Sequence, residues 1–305
     1  MFDLQGHRGA RGLWPENTLG GFARTLELGV SGIELDCALT RDGVLVVTHD
    51  PELNPDCTRD ARGRFLEGPG APIRALSYAQ LQAYDVGRLR PGSAYAERFP
   101  AQQPLDGERI PRLEDVLTLV RRQAGERVRL ALEVKTFPEQ PDLTASAADF
   151  AEALQSLLAR TATQTLVSIL AFDWRVLAAA QRLMPAIPRA ALTEQQPGED
   201  TVRLTAPAPS PWLNGLDPKK HDGSVPRLVR ATGATTWGPD YLDLEARTVA
   251  EAHALGLRVV PWTVNESADM ERLLAFGVDG MITDRPDTLR ALLAAHGRAL
   301  PELPA

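Results

Sequence analysis

Eight short apolar runs rich in β-branched residues alternate with longer Ala/Leu-rich stretches of helical period, which predicts an α/β fold, a closed (β/α)8 TIM barrel. Two further observations refine the expectation. Gly43 to Thr48 is a strand pattern that begins too soon after Asp36 for a parallel crossover, so an extra strand must return as a β-hairpin through Arg41-Asp42-Gly43. Residues 51–110, directly after His49-Asp50, are Pro/Gly-rich and irregular, which predicts a small insertion within the barrel of the kind that serves as a lid or binding subdomain.

Taken in order, the first strand is expected near residues 3–6 and leads into a helix over 17–28. The second, near 31–36, passes through the hairpin and the insertion, with one short helix at Tyr78 to Tyr84, before a helix over 112–123. Strands near 128–134 and 165–170 precede helices over 146–159 and 173–183. The strand near 188–192 runs into a second Pro-rich loop, Gln195 to Pro218. Strands near 234–238, 257–263 and 279–283 precede helices over 246–255, 266–276 and 286–295. Residues 1–305 are read as a single domain.

The 305 residues, 44% of them apolar and 24% charged, suffice to bury a large core without a disulfide. No apolar run approaches the roughly 18 residues of a membrane span, which argues against stable membrane insertion. The N-terminus also lacks a basic region followed by an apolar stretch, so a cytoplasmic location is expected; removal of a signal sequence would leave the same abrupt start in a periplasmic or secreted protein. A net charge of −7 argues against nucleic acid as a partner. Cys37 and Cys57 show no metal spacing and read as ordinary thiols, with a disulfide between them left open. Barrel rims often dimerise, so a homodimer is compatible with the sequence, with no interface marked.

The chemistry concentrates at strand ends. Glu34 and Asp36 lie two apart on an apolar strand and share a face, and Glu133 and Lys135 repeat the arrangement. Carboxylates facing a barrel interior call for a compensating cation, and three of them with no thiolate suit a hard divalent metal, Mg2+ or Ca2+. The competing reading is an ion-pair network with Lys135 and Arg8. His7-Arg8-Gly9 ends the first strand and combines an imidazole, a phosphate-gripping guanidinium and a glycine that lets substrate near the backbone. His49-Asp50 ends the hairpin strand on the same rim, and two histidines beside a carboxylate cluster suggest an acid and base pair for hydrolysis. His221, His253 and His296 are left as structural or surface residues.

These residues belong to a longer ordered set: His7-Arg8-Gly9, Pro15-Glu16-Asn17-Thr18, Ile33-Glu34-Leu35-Asp36, Thr40-Arg41-Asp42-Gly43, Thr48-His49-Asp50, Leu132-Glu133-Val134-Lys135, Trp262-Thr263-Val264-Asn265 and Gly280-Met281-Ile282-Thr283-Asp284. In that order over nearly the whole chain, the sequence resembles the glycerophosphodiester phosphodiesterases. The resemblance implies a TIM barrel that hydrolyses a small-molecule glycerophosphodiester, with a divalent metal, to sn-glycerol 3-phosphate and an alcohol. It assigns Glu34, Asp36 and Glu133 to the metal, His7 and His49 to general acid and base, and Arg8 and Lys135 to the phosphate. Glu16 would orient Arg8 or a metal-bound water, and Asn17 would stand beside it; the same Pro-Glu-Asn string could instead start a helix capped by Asn17. Trp262 would line the pocket against the glycerol moiety. The family commonly carries Ser immediately before Phe in the segment Ser168-Ile169-Leu170-Ala171-Phe172; here Ala171 takes that place and Phe172 remains to shape the pocket.

Three other readings compete. The same barrel could act like a phospholipase D on lysophospholipid or sphingolipid headgroup diesters, or bind phosphodiesters without turnover. An amidohydrolase-type barrel would want a His-x-His pair after the first strand, and that pair is missing.

Overall fold

The computed structural model describes residues 2–303. Its strands are β1 (Asp3–Gly6), β2 (Gly32–Leu39), β3 (Leu45–Val47), β4 (Arg129–Val134), β5 (Val167–Ala171), β6 (Arg189–Thr193), β7 (Thr236–Pro239), β8 (Arg258–Val259) and β9 (Gly280–Thr283). All but β3 are parallel to their neighbours, in the order β8-β7-β6-β5-β4-β2-β1-β9. Backbone hydrogen bonds from Asp279 to Val259, from Ile282 to Pro261 and from Val264 to Ile282 join β9 to the β8 segment and close the ring. The fold is the expected TIM barrel.

Alternation explains the layers. The outward side chains of the strands pack with the surrounding helices into the main core, where Leu4, Ile33, Leu35, Leu130 and Leu132 are all 0% exposed. The inward ones form a thin apolar layer of Ala131, Leu170, Ala190, Leu192, Val260 and Ile282, with Phe172 and Trp262 against it. Above that layer, at the C-terminal ends of the strands, the inward positions turn polar.

The hairpin forms as the spacing requires: β3 pairs antiparallel with β2, Cys37 opposite Val47 and Leu39 opposite Leu45. The amide of Thr48 then donates to the Asp36 carbonyl at 3.0 Å, which brings His49 back to the carboxylate strand. Between His49 and the helix Leu113–Ala124, the chain makes short elements only, with Leu53, Ile73, Leu81 and Ile110 packing against Ala38 and Val46 of the hairpin.

Several boundaries differ from expectation for local reasons. The first helix is Leu19–Glu27 and Thr18, not Asn17, caps it, its hydroxyl accepting from the amide of Gly21. The strand expected over 257–263 is only two residues long, because Pro261 has no N–H to continue a ladder. The insertion helix is Tyr78–Leu81, and a second short helix, Ala94–Glu97, was not expected. A helix over Val225–Ala231 was also missed; it starts at a capping Ser224 with Pro226 in its first turn. Both cysteines are free thiols.

Candidate active site

A tight turn after β1 sets the first part of the site. His7 is pinned by its amide, which donates to the Thr283 carbonyl of β9 at 2.8 Å. Arg8 takes a left-handed backbone conformation (φ 52°), and its amide donates to the Glu34 carboxylate at 3.0 Å. The turn admits no side chain at Gly6, where a Cβ would lie 1.8 Å from the Gly9 carbonyl oxygen. Asn17, also left-handed (φ 55°), donates its side-chain amide to Asp36 at 2.9 Å. Its work is therefore to hold a carboxylate rather than to cap a helix.

Glu34 and Asp36 on β2 and Glu133 on β4 converge as the strand reading predicted, with Asp36 and Glu133 adjacent in register. All three are buried, and one carboxylate oxygen from each lies within 4.8 Å of the others. Two cations stand against them. Arg8 bridges Asp36 at 3.2 Å and Glu16 at 2.8 Å; Lys135 lies 3.1 Å from Asp36 and bonds Glu133 as well. Burial opposes charge on Asp36, yet Lys135 and Arg8 outweigh it and hold the carboxyl well below its usual range. Glu34 fares differently: burial, then repulsion from Asp36 and Glu133, pushes its carboxyl well above that range. Its Oε1 is buried without a hydrogen-bond partner. An orphaned acceptor among three carboxylates with more negative charge than its cations relieve is a site that a hard divalent ion fits.

The two rim histidines are treated alike. His7 Nδ1 lies 2.7 Å from Asp284 Oδ1, and His49 Nδ1 lies 2.6 Å from Asp50 Oδ1. A carboxylate on Nδ1 fixes that nitrogen as the N–H and leaves Nε2 as the free base of the ring. Burial and the nearby Arg11 charge lower the His7 pKa to about 4; burial, Arg8 and Lys135 lower that of His49. Both rings are therefore held neutral in the free protein at neutral pH.

Glu16 receives Arg8 on one oxygen and the Tyr95 hydroxyl on the other, so the Ala94–Glu97 helix of the insertion is tied directly to the site. Phe172 and Trp262 meet edge to face with ring centres 5.3 Å apart, and the Trp262 indole N–H donates to the Gly238 carbonyl at 2.9 Å. Apart from Glu16 and Asp36, which lie behind Arg8 and Lys135, and Asn17 behind Asp36, the sequence-predicted residues line one cavity of about 560 Å3.

Four contributors were not assigned from sequence. Asp284 holds His7 and also receives Arg11 on both oxygens, at 3.0 and 3.1 Å, and Asn265 at 2.8 Å. The pull of His7 and Arg11 outweighs burial and keeps Asp284 far below the usual carboxylate range. Arg11 is itself anchored by the Tyr95 hydroxyl at 3.1 Å and stacks 4.6 Å from the Phe99 ring. Asp284 and Asn265 follow the ends of the last two barrel strands, a position that alone marks them as rim residues; Arg11 and Tyr95 carry no such signal.

The chain matches the glycerophosphoryl diester phosphodiesterase family over residues 7–288. The glycerophosphodiester phosphodiesterase of Bacillus subtilis (strain 168) is 29% identical over 286 residues, covering 92% of this chain and 83% of that protein. Among solved structures, the chain is similar to a Silicibacter pomeroyi DSS-3 protein described provisionally as a glycerophosphoryl diester phosphodiesterase, with a TM-score of 0.86, 37% identity and coverage of 97% of this chain and 94% of that one. An Oleispira antarctica phosphodiesterase in complex with the product sn-glycerol-3-phosphate shares the fold at a TM-score of 0.68, 20% identity and coverage of 95% and 96%.

Proposed function

We propose that this chain, which belongs to the glycerophosphoryl diester phosphodiesterase family, hydrolyses glycerophosphodiesters to sn-glycerol 3-phosphate and an alcohol by proton exchange between His7 and His49, with a divalent metal held by Glu34, Asp36 and Glu133. The observation that carries the mechanism is the matched setting of the two imidazoles, each with Nδ1 on a carboxylate and Nε2 left free. Mg2+ or Ca2+ among the three carboxylates would neutralise non-bridging phosphate oxygens and stabilise the charge that builds as phosphorus becomes five-coordinate.

The remaining steps fall to the chain itself. Arg8 and Lys135, held in place by Glu16, Asp36 and Glu133, supply donors to the phosphate from a fixed direction. One histidine takes a proton at Nε2 from the nucleophile, which is water or the neighbouring glycerol hydroxyl. The other must first take up a proton at Nε2 from solvent as the anionic phosphodiester binds beside it, and then delivers that proton to the departing alcohol oxygen. Asp284 and Asp50 keep each ring in the orientation and tautomer this exchange needs, and favour the imidazolium while it lasts. Phe172 and Trp262 pack against the glycerol carbons and keep water from that side.

The test is release of glycerol 3-phosphate from glycerophosphocholine by the wild type, His7→Ala and His49→Ala. Each variant is expected to lose roughly 100-fold or more in turnover while binding metal normally. Turnover near wild type in both would remove the two-histidine mechanism.

A further inference from the structure

The cavity is electrically lopsided. In the closed ring, β6 and β7 stand across from β1 and β2, so the residues that follow them face the phosphate machinery from the far wall. Those residues are Glu194 after β6 and Asp240 after β7, both at inward positions, and Glu199 from the following loop lines the same cavity. On the near wall Asp36, Glu133, Glu16 and Asp284 are engaged by Arg8, Arg11 or Lys135, and Asp50 by His49. On the far wall, among the described residues, no Lys, Arg or His lies within 4.0 Å of Glu194, Glu199 or Asp240.

Asp240 is the sharpest instance. It is 8% exposed, one oxygen accepts from the Leu242 amide at 2.7 Å, and the other has no donor among the described residues and opens into the cavity. That second oxygen is open to the cavity rather than sealed in the core, so it is an acceptor within reach of a ligand that enters. Burial raises the Asp240 carboxyl to about 6, and burial, then the hydrogen bond and repulsion of the neighbouring Glu199 carboxyl, raises Glu194 to about 8; a cation seated among them would draw these carboxyls back towards their charged forms.

The spacing says which cation. Glu194, Glu199 and Asp240 do not bring three oxygens within 4.8 Å of one another, as Glu34, Asp36 and Glu133 do, so they do not grip a compact ion together. Tyr241, which follows Asp240 in the chain, lines the same cavity and offers aromatic surface beside the acids. Dispersed carboxylates next to an aromatic ring suit a bulky, weakly hydrated monocation.

We infer that Glu194, Glu199 and Asp240 form a subsite for an ammonium- or trimethylammonium-bearing alcohol, and that the enzyme selects zwitterionic glycerophosphodiesters over those with a neutral alcohol. A zwitterion with phosphate at Arg8 and Lys135 and its amine at the far wall matches both ends of the cavity. The inference rests on the hydrolase reading above.

The test compares kcat/KM for glycerophosphocholine, glycerophosphoethanolamine and glycerophosphoglycerol in the wild type, in the Glu194→Gln/Glu199→Gln double variant and in Asp240→Asn, with thermal melts to show that each folds. The wild type is expected to favour the two amines by about tenfold or more, and the double variant to lose about tenfold on them, mostly in KM, against threefold or less on glycerophosphoglycerol. An equal fall on all three substrates, or none, would overturn the subsite. Calorimetric titration with choline reads the subsite without turnover: binding that the double variant loses supports it and absence of binding to the wild type counts against it. Hydrolysis of no diester by the wild type would instead sink the hydrolase reading.

Discussion

Replacing Asp284 by Asn tests whether the carboxylate behind His7 works on the reaction or only on the fold. Asp284 is 2% exposed and accepts from His7 at 2.7 Å, from Arg11 at 3.0 and 3.1 Å and from Asn265 at 2.8 Å. Asparagine keeps the shape but removes the charge and points an N–H at one of these donors. Arg11, 5% exposed, is then left with no full counter-charge at Asp284. Breaking a buried pair in this way costs about 3–5 kcal/mol. At about 2–4 °C per kcal/mol, the melting temperature should fall by roughly 6–20 °C. Because the Asp284 carboxyl is held below its ordinary value of 3.8, its contribution is complete above that pH and lost only as pH falls through the lowered value. The deficit of the variant should therefore persist across neutral pH. His7 also loses the partner that fixes its tautomer, so turnover on glycerophosphocholine should fall about 100-fold, the lower part of what a positioned acid or base contributes. Calorimetric melting and a glycerol 3-phosphate assay on the same preparation give both numbers. A lowered melting temperature with wild-type turnover would refute a role for Asp284 in orienting His7; no change in either would refute the burial argument itself.

Two further predictions follow from other parts of the structure. Gly6→Ala places a methyl 1.8 Å from the Gly9 carbonyl oxygen and 3.0 Å from Thr25, so the turn carrying His7 and Arg8 must shift; stability should fall by about 3 kcal/mol or more and turnover should collapse, and a stable, active Gly6→Ala would show that this turn is free to move. Glu194 and Asp240 have folded pKa values raised from 4.5 to about 8 and from 3.8 to about 6, so the folded state binds these protons more tightly; their contribution is full below the ordinary values and declines as pH rises through 6 to 8. Glu194→Gln should therefore gain stability relative to wild type on going from pH 5 to pH 9, with the gain limited because the side chain is only half-buried, and melting curves that shift in parallel over that range would contradict it.

What the sequence reveals and hides follows from the range of the interactions. In Ile33-Glu34-Leu35-Asp36 the period of two puts both acids on one face and both aliphatics on the other, so the carboxylate pair and its direction are legible in four residues. The hairpin is legible because chain length forbids any other connection. The link between His7 and Asp284 joins residues 277 apart and exists only once β9 closes the ring beside β1. Asp284 nonetheless ends a barrel strand, and reading every strand end as a rim position would have found it. Tyr95 sits on a four-residue helix in a Pro/Gly-rich stretch, where neither periodicity nor spacing distinguishes it from its neighbours. For Asn17 the sequence leaves two readings open because Asn and Thr both cap helices well; the choice of Thr18 is made by Asp36, which takes the Asn17 side chain.

The most direct measurement of the account is glycerol 3-phosphate release from glycerophosphocholine by chelator-stripped protein, before and after Mg2+ or Ca2+ is returned, with Glu34→Gln beside the wild type. Glu34 carries the orphaned oxygen, and its Gln variant should fold at least as well because the amide never takes on the charge that burial, Asp36 and Glu133 oppose at this position. Turnover should vanish on stripping, return with the ion in the wild type, and stay low in Glu34→Gln at any ion concentration that saturates the wild type. Full turnover by the stripped wild type, or by Glu34→Gln, would contradict the metal's role and leave the three carboxylates as partners of Arg8 and Lys135 alone.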